Sequence, residues 1–157
     1  MNFLYKIEQV PKMLSFSEAF VKASKEKIGS YKLPVVPKQY YIELSEATES
    51  VNEMVRELSI RPLNIDSLNT RVDTARDLVL KLYNTTMNMV KTAKMAEMVI
   101  VYGNRYRNSI EEVDKELSDA EKMFYKGNYK EALDISIKAT SRVDEKIYRK
   151  LVSVYEK

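Results

Sequence analysis

Cysteine and histidine are both absent from this chain of 157 residues. Without cysteine there can be no disulfide bond and no thiolate metal site. Without histidine the chain lacks the commonest general base and the commonest metal ligand. Asp73 and Asp77 lie one helical turn apart without a third ligand nearby, so we expect a solvated helix face there. Together with the lack of a glycine-rich phosphate loop, these absences argue against an enzyme and predict no cofactor and no metal.

Helix-breaking residues and long apolar runs are also scarce. The chain has only three glycines and four prolines, yet 45% of its residues are hydrophobic and 31% are charged. This composition favours long helices in a folded protein. No apolar run approaches the ~20 residues that span a bilayer, and there is no signal-peptide pattern, so we expect any membrane anchor to lie outside this sequence. The net charge of +3 is too small to indicate nucleic-acid binding.

The segment from Ser67 to Arg107 has the strongest periodicity in the chain. Apolar residues and one threonine recur at alternating steps of three and four, which keeps their side chains on one side of an α-helix. We name these residues the long-helix seam: Leu68, Val72, Ala75, Val79, Leu82, Thr86, Met89, Ala93, Ala96 and Ile100. The pattern predicts one buried helix that continues from about Ser67 past Tyr102.

Prolines and glycines divide the rest of the chain into further predicted helices. The expected helices run from about 12 to 28, from 37 to just before Pro62, from 110 to 126 and from 129 to 155. Residues 2–10 also have helical apolar spacing, and whether they join the first helix across Pro11 stays open. An extended connector, Leu33–Pro37, separates the first two because residues before proline avoid the α region. We expect Asp66 or Ser67 to cap the long helix and Asn108 or Ser109 to cap the fourth. The predicted buried faces are Tyr41, Leu44, Thr48, Val51, Val55 and Leu58 in the second helix; Ile110, Val113, Leu117, Ala120 and Phe124 in the fourth; and Ala132, Ile135, Ala139, Val143, Ile147, Leu151 and Val154 in the fifth.

These elements predict an all-α fold, an elongated antiparallel bundle of about five helices with short connections. We expect residues 1–36 to form an N-terminal helix with its connector. Residues 37–157 would form the antiparallel bundle, which closes with a C-terminal helical hairpin.

The turn of that hairpin resembles the corner of a tetratricopeptide repeat. Gly127 reverses the chain, Tyr129 fills the corner, and Ala120, Ala132 and Ala139 allow close helix packing. A peptide-binding groove of that type needs several stacked units, and only one is present. A helical-bundle adaptor that binds short peptides through this hairpin therefore stays open as the alternative function.

A polar and aromatic cluster, Tyr102-Gly-Asn-Arg-Tyr-Arg107, ends the long helix. Tyrosine and arginine are enriched in interface hot spots because they combine large contact area with directed hydrogen bonds. Alternatively, the arginines stabilise the helix C-terminus and pair with acidic residues of the fourth helix. The residues alone leave both interpretations open.

The stretch Met95-Ala96-Glu97 … Ile100-Val101-Tyr102-Gly103-Asn104-Arg105-Tyr106-Arg107 resembles the C-terminal signature of the EzrA family of septation ring formation regulators. The LPxxP element at Leu33–Pro37 and the corner from Gly127 to Ala139 also resemble segments of that family. The resemblance covers roughly residues 31–150. Family members usually carry glutamine at the position of Val101.

The resemblance implies a non-enzymatic scaffold of Gram-positive bacteria that restrains and positions the ring of the tubulin-like protein FtsZ. It implies a C-terminal fragment of a rod of spectrin-like repeats, held at the cytoplasmic face of the membrane by an anchor outside this sequence and located at the division septum. FtsZ and other division proteins would be its partners, and homo-oligomerisation stays open. The residues implied in partner binding are Val101, Tyr102, Gly103, Asn104, Arg105, Tyr106 and Arg107.

Overall fold

The fold is described by a computed structural model that covers residues 3–155, with side chains from residue 9 to residue 154. Its regular elements, in chain order, are α1 (Phe3–Ser30), α2 (Lys38–Ser59), α3 (Ile65–Gly103), a 3-10 turn (Asn104–Tyr106), α4 (Glu111–Tyr125), α5 (Tyr129–Ser141) and α6 (Ile147–Tyr155). The all-α prediction is confirmed, since residues 3–155 contain no strand. None of the helices in this range is long and apolar enough to cross a membrane.

The chain forms two compact units. The first contains α1, α2 and the part of α3 up to Met87. The second contains the connector Lys32–Pro37, the part of α3 from Asn88 onward, and α4, α5 and α6. The division between residues 1–36 and 37–157 stays a prediction.

Helix α1 begins earlier than the sequence predicts. The expected start was Lys12 because Pro11 lacks an amide donor, but the helix begins at Phe3 and passes through Pro11. A proline inside a helix removes one backbone hydrogen bond and its ring presses on the carbonyl group one turn earlier, which can kink a helix without ending it. Among the side chains of α1 that the structure describes, from residue 9 onward, the buried ones are Val10, Ser17 and Ser24, spaced by seven residues.

The buried face of helix α2 differs from the predicted one. The buried residues are Tyr40, Glu43, Ala47, Ser50, Val51 and Met54. Of the predicted face only Val51 is buried, and Tyr41 and Val55 are exposed. The prediction followed the larger apolar residues, whereas the packed face of α2 carries the small Ala47 and Ser50, as that of α1 carries two serines. Small residues let helix backbones approach closely, and the same buried face also carries the larger Tyr40 and Met54.

Helix α3 confirms the predicted seam. Every seam residue is buried except Val72 and Met89, which are half-buried. Val90 and Val99 are buried as well, because a pattern with a period of 3.5 drifts around a straight helix with 3.6 residues per turn. The N-cap is Asn64 and not Asp66 or Ser67, since its Oδ1 accepts a hydrogen bond from the Ser67 amide at 3.0 Å.

The second unit contains the predicted α4–α5 hairpin. Val113, Leu117, Ala120 and Phe124 of α4 are buried, as are Ala132 and Ala139 of α5. Gly127, at φ 87°, closes α4. Its amide donates to the Phe124 carbonyl, and the Asn128 amide donates to the Met123 carbonyl, which is the hydrogen-bond pattern of a glycine-terminated helix. The predicted cap for α4 is wrong, because Ile110 occupies the N-cap position without a side-chain hydrogen bond.

The predicted fifth helix is divided in two, so the described chain has six α-helices. Ile147 and Leu151 are buried as predicted, but Val154 is 57% exposed. Between α5 and α6, Oδ1 of Asp144 accepts a hydrogen bond from the Lys146 amide at 3.0 Å. This side-chain acceptor gives the chain a local alternative to a continuous helix.

Candidate functional site

Residues Val101–Arg107, which we name the α3 tip, divide into an inner and an outer group. The inner group comprises Tyr102, Gly103, Tyr106 and Arg107, of which Gly103 is buried and the other three are half-buried. A Cβ atom at Gly103 would lie 2.8 Å from Cδ1 of Leu117 in α4 and 2.9 Å from Cγ2 of Thr140 in α5. A side chain here would force Leu117 or Thr140 to move, so glycine allows the end of α3 to pack closely against the α4–α5 hairpin.

Tyr102 joins the α3 tip to the junction between α5 and α6. Its hydroxyl donates to Oδ2 of Asp144 at 2.9 Å, and Nζ of Lys150 lies 2.6 Å from the same oxygen. Hydrogen bonding with Tyr106 and with Asp144 raises the pKa of Tyr102 to about 12. The hydrogen bonds from Lys150 and Tyr102 lower the pKa of Asp144 below its ordinary 3.8. Near neutral pH Tyr102 is therefore a protonated phenol that donates a hydrogen bond to the ionised carboxylate of Asp144. This bond attaches the α3 tip to the α5–α6 junction.

Arg107 is bound to α4 by its guanidinium group. Nε donates to Oδ1 of Asp114 at 2.8 Å, Nη1 donates to Glu121, and Nη2 donates to Oγ of Ser118 at 2.7 Å. The hydrogen bonds to Asp114 and Glu121 raise the pKa of Arg107 above its ordinary value. Its side chain is only 22% exposed. For Arg107 the structure therefore supports pairing with the acidic fourth helix.

Three residues of the tip form its outer group: Val101, Asn104 and Arg105. We name them the tip edge. All three are exposed, Val101 to 62%, and their spacing places them on one side of the chain. The guanidinium carbon of Arg105 lies 4.5 Å from the ring centroid of Tyr102, an attractive cation–π arrangement. Among the described residues no ion pair or side-chain hydrogen bond is shown for the Arg105 guanidinium, so its N–H groups can bind a partner.

A groove of about 540 Å³ lies beside the tip edge and includes Val101 and Asn104 in its wall. Leu33 and Pro34 of the connector and Phe124 and Tyr125 of α4 also line it. Its volume is within the range of about 300–1,000 Å³ typical of ligand pockets. The sequence interpretation did not include the connector or Tyr125 in the candidate site. The LPxxP motif was the only available signal, and it carries no information about which helix the connector meets.

Most acidic side chains of α4 near the tip form ion pairs and are not simply solvated. Besides the bonds to Arg107, Glu112 and Glu116 pair with Arg142 of α5, at 3.0 and 2.5 Å. Within residues 3–155 no three acidic side chains come together in a way that could hold a metal ion. The site therefore offers a groove with both apolar and charged walls, with Asn104 in the wall and the exposed Arg105 next to it in the chain, an arrangement that suits recognition of a protein surface.

Comparison with known proteins identifies the family. The family model described as "Septation ring formation regulator, EzrA" matches residues 10–155 of this chain. No solved structure matches the chain. The matching region includes the α3 tip, the connector and the α4–α5 corner.

Several curated relatives carry the same name. The chain is 29% identical over 150 residues to the protein of Geobacillus sp. (strain WCH70), covering 96% of this chain and 25% of that one. It is 32% identical over 125 residues to the Geobacillus kaustophilus protein (80% and 22%) and 30% identical over 131 residues to that of Listeria monocytogenes serotype 4b (83% and 23%). The chain thus spans about a quarter of the length of these relatives. It belongs to the EzrA family of septation ring formation regulators.

Proposed function

We propose that this chain is part of a non-enzymatic scaffold that regulates bacterial septation through protein–protein contacts. The family match over residues 10–155 carries the proposal. Its matched relatives are named septation ring formation regulators. By the resemblance of the α3 tip to the family signature, the partner would be the FtsZ polymer, and the complete protein would act at the cytoplasmic face of the membrane at the septum.

The tip edge is the surface we propose for this contact. Interface hot spots are enriched in arginine, and Arg105 belongs to the same exposed edge as Val101 and Asn104, which line the groove. Gly103, Tyr102 and Arg107 hold the backbone of the edge against α4, α5 and the α5–α6 junction. A surface held rigid before binding loses less conformational entropy on association. The inner group of the tip would thus position the outer group.

Co-sedimentation with FtsZ tests the proposal. Purified chain is mixed with increasing FtsZ from the same organism, polymerised with GTP, and centrifuged. We expect the chain to enter the pellet in a saturable manner and to stay in the supernatant with unpolymerised FtsZ. Retention in the supernatant at every polymer concentration would contradict a contact made by this part of the protein.

A further inference from the structure

The connector Lys32–Pro37, which we name the strap, packs with the second unit although the residues on both sides of it pack with the first. It has no helical or strand structure. Its two prolines, Pro34 and Pro37, favour an extended backbone in the residues that precede them. The strap therefore contacts the α4–α5 corner as a short extended peptide would.

Tyr129 recognises the backbone of the strap at Val35. The Val35 amide donates to Oη of Tyr129 at 3.2 Å, and the Tyr129 hydroxyl donates to the Val35 carbonyl. The Tyr129 side chain is buried, and its ring packs edge-on against Phe124 with 5.3 Å between centroids. One fixed hydroxyl thus binds both polar backbone groups of a single strap residue.

Gly127 shapes the corner for the same residue. A Cβ atom at Gly127 would lie 3.2 Å from Cγ1 and 3.3 Å from Cβ of Val35, so a side chain there would compete with Val35 for space. On the N-terminal side of Val35, Leu33 and Pro34 line the groove together with Phe124. The contact therefore combines two backbone hydrogen bonds with close packing of Val35 on Gly127, while the Val35 side chain stays 39% exposed. Main-chain hydrogen bonds are also what gives peptide-binding domains their affinity for extended ligands.

We propose that the α4–α5 corner is a docking site for an extended Leu-Pro-apolar-apolar peptide and that the strap occupies it in cis. This inference is independent of the proposed function in septation. A tethered segment has an effective concentration on the order of millimolar, so it excludes a free peptide of similar chemistry. The corner that resembles a tetratricopeptide turn is then closed to outside peptides because the chain supplies its own ligand.

Hydrogen exchange in the wild-type chain tests whether the strap is a separable ligand. The Val35 amide should exchange through a local opening whose rate is insensitive to low urea concentrations. The Leu117 amide, in the core of α4, should exchange only through a larger unfolding and should accelerate as urea rises. If both amides show the same urea dependence, the strap is an integral part of the unit and the proposal is wrong.

A binding experiment in trans tests the chemistry of the site. The probe is a fluorescent peptide of residues 31–38, YKLPVVPK, and binding is followed by anisotropy. The variant Leu33→Ser/Val35→Ser weakens the strap and should bind the probe at least about tenfold more tightly than the wild-type chain, in which the strap competes. Adding Tyr129→Phe to that variant should weaken probe binding, as should the same two serines in the peptide.

Circular dichroism establishes that the strap variant is folded. Equal binding by a folded variant and the wild type, or no binding by the folded variant, would overturn the proposal. If the strap variant does not fold, hydrogen exchange on the wild type decides the matter by itself.

Discussion

Arg105 and Arg107 lie two positions apart in the chain, yet their guanidinium groups have different surroundings. Arg107 binds Asp114, Ser118 and Glu121 of α4, whereas Arg105 is exposed and stacks on Tyr102. The sequence left two interpretations open for both arginines because spacing alone does not show which one faces α4. The structure supports the stabilising role for Arg107, and partner binding by Arg105 stays a proposal.

Arg107→Ala should lower the free energy of unfolding by about 1–2 kcal/mol, because it removes charge-assisted hydrogen bonds to two partly exposed carboxylates. Arg105→Ala is the matched control and should lower it by less than about 0.5 kcal/mol. Urea titration of both variants measures the difference. Equal losses of unfolding free energy in the two variants would mean that the hydrogen bonds from Arg107 to α4 do not stabilise the fold.

Asp144 should make stability depend on pH in the acidic range. Its pKa is lowered in the folded chain by Lys150 and Tyr102, so its ionised form stabilises the fold. That contribution is fully present above the ordinary value of 3.8 and is lost as pH falls through the lower folded value. The melting temperatures of wild type and Asp144→Asn should therefore differ at pH 6 and converge as the pH falls well below 3.8.

The control for this pH series is Asp134→Asn, which removes the same charge from an exposed position on α5. Its melting temperature should stay close to that of the wild type at pH 6. If the difference in melting temperature between wild type and Asp144→Asn is the same at the lowest pH as at pH 6, the Asp144 carboxylate does not stabilise the fold through its charge.

At the scale of single helices, sequence predicts best where large apolar residues recur without interruption. The α3 seam was predictable because Leu68, Val79 and Leu82 fall on one face and no proline or glycine interrupts them. The buried face of α2 was not predictable from sequence, because it includes Ala47 and Ser50. Such small side chains give little signal in a hydrophobicity pattern. The break before α6 was missed because Val143, Ile147 and Leu151 continue the apolar spacing across Asp144.

Leu82→Ala tests the α3 seam. Leu82 has no exposed surface, so truncation should cost about 2–5 kcal/mol of unfolding free energy, the usual range for a buried leucine. Val55→Ala on α2, where the valine is 45% exposed, is the control and should cost much less. A loss for Leu82→Ala below about 0.5 kcal/mol in urea titration would mean that the seam is misassigned.

Gly103→Val tests the packing of the end of α3 against the hairpin. The added side chain would overlap Leu117 and Thr140, and overpacking typically costs about 1–3 kcal/mol. In the control Gly29→Val, an added Cβ meets no atom within 4 Å, and we expect a change of about 0.5 kcal/mol or less. If Gly103→Val lowers the melting temperature no more than Gly29→Val does, the close approach of Gly103 to Leu117 and Thr140 is contradicted.

At the scale of the whole molecule, the chain spans about a quarter of the length of the curated relatives it matches. The α3 tip was identifiable from sequence because its unusual residues are contiguous. The groove and the strap were not, because Val35 and Tyr129 are separated by 94 positions. Local periodicity carries no information about contacts across such a distance. The resemblance indicated the family, and the structure adds which residues of the signature are exposed.

The proposed function depends most on whether the tip edge contacts the FtsZ polymer. The variant Val101→Ala/Arg105→Ala removes two exposed side chains of the edge and leaves Arg107 in place. Arg149→Ala/Val154→Ala removes the same residue types from exposed positions on α6 and is the matched control. Both variants should melt within about 2 °C of the wild type, because exposed substitutions change stability little.

The deciding measurement is co-sedimentation of these two variants with FtsZ polymers, with folding verified in the same samples. The tip-edge variant should bind about thirtyfold more weakly than the wild type, which corresponds to about 2 kcal/mol for truncating central interface residues. The α6 control should bind as the wild type does. A folded tip-edge variant that sediments with the polymer as well as the wild type would contradict the account.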